Sequence, residues 1–310
     1  AVVAVGAVPV FADVDRDTQN IDIGSVRSKI TSRTRGIICV HHAGLPCDMP
    51  RLMALADNHD LWIVEDCAQA HGAQIDGRSV GSFGDVGAWS FCQDKIIYTG
   101  GEGGMISMNS KKLWLKAWSL KDHGKNYNSV FFKRHKTGFK WLHDDLGSNY
   151  RMTEMQAVLG IEQLKKLDQQ IKRRNLIANL YLNGLKDYYS KYDILKKPNF
   201  NHVTYHKKQN LGKSIHAYYR LNFCINKNKI NQIELIDQLN KKNINCSVGS
   251  CPEIYREKIF KKLKLFPKKR LPNAKLLGET NIMFPINPYK GLTKIKSEIN
   301  YIKKILYKYL

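Results

Sequence analysis

The strongest constraint on this chain is an alternation that fills its first 110 residues. Short apolar runs are separated by turns and by helical spacing. Gly36–Val40, Leu61–Val64, Val86–Phe91 and Gly104–Met108 are each apolar at nearly every position. Strands of that kind are buried on both faces, which calls for helices on either side of a mostly parallel sheet. Met49–Asn58 supplies one such helix, with Leu52, Met53, Leu55 and Ala56 at helical spacing. Ala1–Ala7 reads as the tail of a buried helix leading into a strand at Val8–Phe11. No cap or start signal precedes it, so the chain is expected to begin inside a domain.

Further on, Met152–Leu167 reads as an amphipathic helix that continues through Leu182 as a connector. Beyond about residue 190 the texture changes. Ala217–Ile225 and Ile244–Val248 are strand-like, while Ile233–Lys241 and Ser297–Tyr309 are helix-like. The expectation is an α/β protein: a large, mostly parallel domain over 1–185 and a small α+β domain over 186–310. The 310 residues are ample for two cores.

Composition excludes several classes. With 43% hydrophobic and 25% charged residues, wholesale disorder is excluded. No apolar run approaches the length of about 18 residues that a membrane span needs, and no basic leader marks a signal peptide. Seven scattered cysteines without close pairs read as reduced thiols in a cytoplasmic protein. The net charge of +23 is uneven: residues 1–100 hold 8 basic and 12 acidic side chains, leaving 42 basic and 15 acidic for the rest. No nucleic-acid module accompanies that excess, which fits a solvated, lysine-rich surface. Binding to nucleic acid or another anionic surface stays open as a lesser alternative.

Two stretches carry chemistry. In Glu65-Asp66-Cys67-Ala68-Gln69-Ala70-His71-Gly72, Asp66 follows an apolar strand directly, where open α/β sheets bind ligands. A carboxylate there either caps a turn or faces a cationic heteroaromatic nitrogen. In Ser90-Phe91-Cys92-Gln93-Asp94-Lys95, followed by Thr99-Gly100-Gly101-Glu102-Gly103-Gly104, Lys95 lies just past a strand and before a glycine-rich turn. Most lysines are solvated. One held in a crevice can instead form a Schiff base with an aldehyde, and Ser90 could offer a hydroxyl to a phosphate. His41, His42 and Asp48 lack a metal-ligand spacing and read as loop packing, so no metal is expected. Cys67 and Cys92 read as packing residues, and Tyr218–Tyr219 as strand packing.

Taken together, these motifs resemble the DegT/StrS-type nucleotide-sugar aminotransferases, pyridoxal 5'-phosphate (PLP) enzymes of the aspartate aminotransferase fold (fold type I). Pro9–Asp15, His41–Asp48, Lys121–Gly124 and Gly147–Gln156 extend the resemblance over most of the chain. It implies that Lys95 holds the cofactor aldehyde and shuttles the proton. It further implies that Asp66 keeps the pyridine nitrogen protonated, Gln69 lies near the phenolic oxygen, and Ser90 binds the phosphate. Asn149 would reach the cofactor phosphate of the partner subunit in a homodimer. A lysine at position 95 favours transamination over the dehydratase variant, which has His there.

The texture is similar to perosamine-synthase-like and dTDP-4-amino-4,6-dideoxyglucose-forming members. The expected reaction is amination of a nucleotide-linked 4-keto-6-deoxyhexose, with L-glutamate as donor, for O-antigen and lipopolysaccharide sugars. The family's opening strand and its Ser-Gly-Thr phosphate helix are not found before Ala1. The chain is therefore expected to be N-terminally truncated, with an inactive remnant as the alternative. Asn287 stands where relatives often have His. The basic, aromatic stretch Asn126–Asp145 reads equally as a cover for a sugar nucleotide or as an interface loop.

Overall fold

The computed structural model describes residues 1–197 and 214–310. Nine strands form three sheets: β1 Gly36–Val40, β2 Trp62–Asp66, β3 Gln74–Ile75, β4 Arg78–Ser79, β5 Val86–Ser90, β6 Gly104–Ser107, β7 Leu195–Lys196, β8 Arg220–Ile225 and β9 Asn281–Pro285. The main sheet has the order β1-β2-β5-β6. Its first three strands are parallel, while β6 returns antiparallel to β5. In register, Val40, Asp66 and Ala88 lie side by side, so the carboxyl ends of β1, β2 and β5 form one edge.

Helix Met49–Asp57 crosses from β1 to β2. Asp48 starts it by accepting a hydrogen bond from the Arg51 N–H at 3.1 Å, and Pro50 sits in its first turn. Leu52 and Leu55 bury against Ile37, Cys39 and Ile63 on one face of the sheet. The other face differs from the expectation of cover on both sides. Ile38, Val40, Trp62 and Ile106, which share that face in register, remain 39–50% exposed. Continuous apolarity told that these segments are strands, but no described element packs over that second face.

The front of the chain also departs from expectation. Residues 3–5 make a single 3-10 turn, ended by Gly6 in the left-handed region (φ 77°), and Val5, Val8 and Val10 are exposed. Residues 8–11 pair with no strand. A buried helix tail needs a packing partner, and these valines have none among the described residues.

A second core gathers around β8. Phe223, Leu221, Leu235, Ile295 and Leu306 are essentially inaccessible. β7, β8 and β9 form an antiparallel sheet, covered by helices Gln232–Asn240 and Leu292–Leu306. The expected connector is two helices, Glu154–Lys165 and Leu167–Gly184, meeting at Lys166, and the latter sends Ile177, Ala178 and Tyr181 into this core. The expected strand at Ile244–Val248 is reduced to one bridge, Ser247 to Met283.

Asp13 joins the two ends of the chain. Its buried carboxylate accepts the backbone N–H groups of Asn273 and Ala274, both at 2.9 Å. These are orphan donors in the first turn of helix Pro272–Thr280, whose own N-cap, Leu271, has no side-chain acceptor. A residue 260 positions away therefore caps that helix.

Candidate active site

Glu65 and Asp66 end β2 side by side, and alternation sends them in opposite directions. Glu65 is fully buried and accepts four hydrogen bonds: from Gly81 N–H (2.7 Å), Phe83 N–H (2.8 Å), Gly84 N–H (2.7 Å) and the His41 ring (3.0 Å). Burial would raise its pKa, but those donors outweigh burial and hold the carboxyl below the usual range. Cys67 Sγ lies within 4.8 Å of the His41 and Glu65 ligand atoms. The Glu65 oxygens are already taken by these donors, so the group acts as a structural hub. Gly81, at φ 76°, completes it. A Cβ there would lie 2.5 Å from the Trp89 ring and 2.9 Å from Cys67 Sγ.

Asp66 faces the other way and is partly open. Its Oδ1 accepts the Ala68 N–H at 3.0 Å, and no donor among the described residues reaches Oδ2. Two residues beyond Ala88, the β5 partner of Asp66, Ser90 closes its strand with Oγ accepting the Cys92 N–H at 3.3 Å. Lys95 follows in the turn after β5, largely buried. Its Nζ is 3.5 Å from Asp94 and 5.2 Å from the Tyr219 ring centroid. Gln69 accepts the Ala43 N–H through Oε1 at 2.7 Å, leaving its NH2 end without a partner among the described residues.

The structure thus places Asp66, Ser90 and Lys95 at one edge of the sheet, with Gln69 on the loop following Asp66. Asn149 stands apart. It is exposed, bridges to Asp122 through backbone, and accepts Arg151 Nε at 3.0 Å; no contact joins it to Lys95.

His71 is the least satisfied group near the edge. It is 2% exposed, packs against Trp89 and Phe91, and neither ring nitrogen has a well-formed hydrogen bond. Burial chiefly, with the Lys95 and Arg174 cations, brings its pKa down to about 4.

Several neighbours were missed in the sequence. Tyr219 donates to the Asp94 carboxylate, Arg220 lies over the Tyr219 ring at 4.4 Å, and the Arg220 guanidinium is 3.7 Å from Asp94. Tyr219 therefore does more than the expected strand packing. Burial would raise Asp94, but the Tyr219 hydrogen bond and the Lys95 cation prevail and hold it low. Burial and the same hydrogen bond raise Tyr219. The loop 126–145 carries an exposed edge-on pair, Phe139 and Trp141, with Arg134 and Lys136 also exposed. Asn287 caps its own turn by accepting the Tyr289 N–H at 2.9 Å.

Comparison with known proteins agrees with this arrangement. The GDP-perosamine synthase of Escherichia coli O157:H7 is 38% identical over 180 residues, 58% of this chain and 46% of that protein. The UDP-N-acetyl-3-dehydro-alpha-D-glucosamine 3-aminotransferase of Acidithiobacillus ferrooxidans is 46% identical over 159 residues, 51% of this chain and 40% of the other. The matched stretches thus span less than half of these two relatives. A solved aminotransferase from Psychrobacter cryohalolentis superposes with a TM-score of 0.93 at 44% identity, covering 99% of this chain and 78% of its own. The profile of the DegT/DnrJ/EryC1/StrS aminotransferase family matches residues 1–301. On that match, with the α/β architecture it accompanies, the chain belongs to the DegT/DnrJ/EryC1/StrS aminotransferase family.

Proposed function

We propose that this chain is a PLP-dependent aminotransferase that converts the ketone of a nucleotide-linked 4-keto-6-deoxyhexose to an amine, with L-glutamate as donor. Enzymes of its family depend on PLP. The observation that carries the reading is the sheet edge itself: a largely buried lysine one turn beyond β5, and a carboxylate with a free oxygen at the end of the adjoining β2.

The donor set fits the cofactor. Lys95 offers an amine, Asp66 an anion for a protonated ring nitrogen, Ser90 a hydroxyl for a phosphate, and Gln69 an unpartnered NH2. The buried His71 ring, without a well-formed hydrogen bond among the described residues, adds unmet polarity near that edge. When bound, PLP supplies the aldehyde and an electron-withdrawing ring.

The chain's own residues would then do the following. Lys95 Nζ takes a proton from the amino donor and later returns one to the sugar carbon. Asp94, Tyr219 and Arg220 form a charged wall beside that amine and limit where it can swing. Asp66 Oδ2 holds the ring nitrogen. The exposed Asn149 suits a role across a homodimer interface, reaching the phosphate in the partner's site. The two catalytic regions then lie in a domain over 1–185, with 186–310 as a smaller unit beside it.

These two relatives are named for GDP- and UDP-linked sugars, so nucleotide and ketone position are the open variables. Similarity to perosamine synthase supports the 4-keto-6-deoxyhexose and an O-antigen or lipopolysaccharide destination. The seven free thiols suit a cytoplasmic setting. The test is incubation with PLP, 15N-labelled L-glutamate and GDP-, dTDP- or UDP-linked keto-sugars, read by NMR and mass. Label in a 4-amino-6-deoxy product is expected. Label only in a 3-amino product, or transfer that persists in Lys95→Ala, overturns the proposal.

A further inference from the structure

The charge excess of the chain has one concentrated location. Between Lys258 and Arg270 the chain holds seven basic residues and no acidic one. Arg270 is occupied, donating to the buried Glu253 carboxylate. Lys258, Lys261, Lys262, Lys264, Lys268 and Lys269 are all exposed, and none has an acidic partner among the described residues. Apolar side chains lie among them on the same surface: Ile254 is 51% exposed, Ile259 53%, Leu263 41% and Phe266 50%.

The segment is firmly based. Phe260 and Tyr255 turn inward onto Phe11, with ring centroids 5.3 and 5.6 Å away. Tyr255 and Arg270 both donate to Glu253, and Tyr255 Oη accepts the Leu271 N–H at 2.9 Å. Lys264, at φ 56°, turns the chain back so that Leu265 N–H reaches the Phe260 carbonyl at 2.9 Å. The inward aromatics fix the segment while the outward set alternates lysine with Ile, Leu and Phe.

We propose that this face, residues 258–269, docks the protein on an anionic phospholipid surface. The lysines contact headgroup phosphates, and Ile259, Leu263 and Phe266 enter the boundary between headgroups and acyl chains. Six unpaired lysines give the charge complementarity, each strengthening partition about fivefold near an anionic bilayer. Apolar contact supplies the second signal that stable surface attachment requires. A nucleic acid is the poorer occupant. Its phosphates are held by the same charges, but Ile, Leu and Phe would gain little against a charged backbone. The two arginines that flank the lysines, Arg256 and Arg270, are both already engaged by Glu253.

The test is co-sedimentation of the full chain with vesicles of phosphatidylcholine plus phosphatidylglycerol, against phosphatidylcholine alone and against duplex DNA. Binding to the mixed vesicles and not to the neutral ones is expected. Lys261→Glu/Lys262→Glu/Lys264→Glu should weaken it by on the order of 100-fold. Leu263→Ser/Phe266→Ser should weaken vesicle binding several-fold and leave DNA binding unchanged. Lys112→Glu/Lys116→Glu/Lys172→Glu, with the same change in net charge, should retain vesicle binding, and melting temperatures should stay level throughout. Equal binding to neutral vesicles, equal loss in the second lysine triplet, or DNA binding tighter than vesicle binding each overturns the proposal. So does vesicle binding that ignores Phe266.

Discussion

The sheet edge at Asp66, Ser90 and Lys95 and the core around β8 solve opposite problems. Around β8 nearly every side chain is spoken for. Phe223, Leu221 and Ile295 exclude water, and the buried Glu298 accepts from both Tyr181 and Lys290. At the sheet edge His71 has no well-formed partner, Asp66 keeps an oxygen free, and one sheet face lies open. The other orphaned atoms, Arg174 Nε and Asn222 Oδ1, lie where the second region meets the first: Arg174 is among the charges acting on His71, and Asn222 donates to Gln19. Buried polar groups are normally paired. A region that leaves them unpaired has its chemistry reserved for something the chain alone does not supply.

That contrast can be broken from either side. Lys95→Ala should abolish transamination, by about 10^4-fold, together with PLP-dependent visible absorbance, while the melting temperature stays near wild type. A large loss of stability instead would mean that Lys95 is structural. Phe223→Ala should do the reverse. It should cost about 3–5 kcal/mol of stability in denaturant unfolding and leave PLP absorbance per folded molecule unchanged.

Within the first region, Glu65→Gln probes the hub against the site next to it. Losing one acceptor among backbone donors should cost about 1–3 kcal/mol, whereas Asp66→Asn should leave stability level and weaken PLP binding. If both variants lose only stability, the assigned division between the two carboxylates is wrong.

Acid exposes the same asymmetry through histidine. Burial chiefly brings His42 and His71 down to about 4 and His216 to about 3. Between those values and the unfolded value of about 6.5, the unfolded chain binds more protons than the native one. Stability is therefore complete above about pH 6.5 and falls as pH drops toward 4, by up to about 1.4 kcal/mol per pH unit for each histidine. His71→Gln should flatten part of that slope, and an unchanged slope would sink the assignment. The smallest effect is reserved for the loop. Arg134→Ala/Lys136→Ala should raise KM for the sugar nucleotide a few-fold with kcat unchanged, and an unchanged KM would assign the loop to an interface.

Much of the sheet was legible because its strands are short, apolar and bounded. β1 was read at its observed limits, β5 and β6 to within one residue at either end, and β2 to within two. The front was misread because its valines look like a core, and apolarity alone does not say whether a partner exists. Ile244–Val248 carried strand-like residues, but tertiary context allowed it only one bridge. Asp66 and Lys95 were singled out because their neighbours in sequence form motifs. Asp94, Tyr219 and Arg220 were not, since their contacts span about 125 positions and leave no local periodicity. Glu65 escaped notice beside Asp66 because strand alternation, which gives the two carboxylates opposite fates, needs a known inside to interpret.

Asp13 sets a timetable for synthesis. The helix it caps emerges 260 residues later, which at ordinary ribosomal speeds is roughly 13–50 s. Throughout that interval the nascent chain carries an acceptor whose donors do not yet exist, and the front of the protein must wait in water, unlatched. Release of the last segment is then the event that locks the first, so a ribosome stalled short of residue 273 would hold a chain that has its site residues but not its clasp.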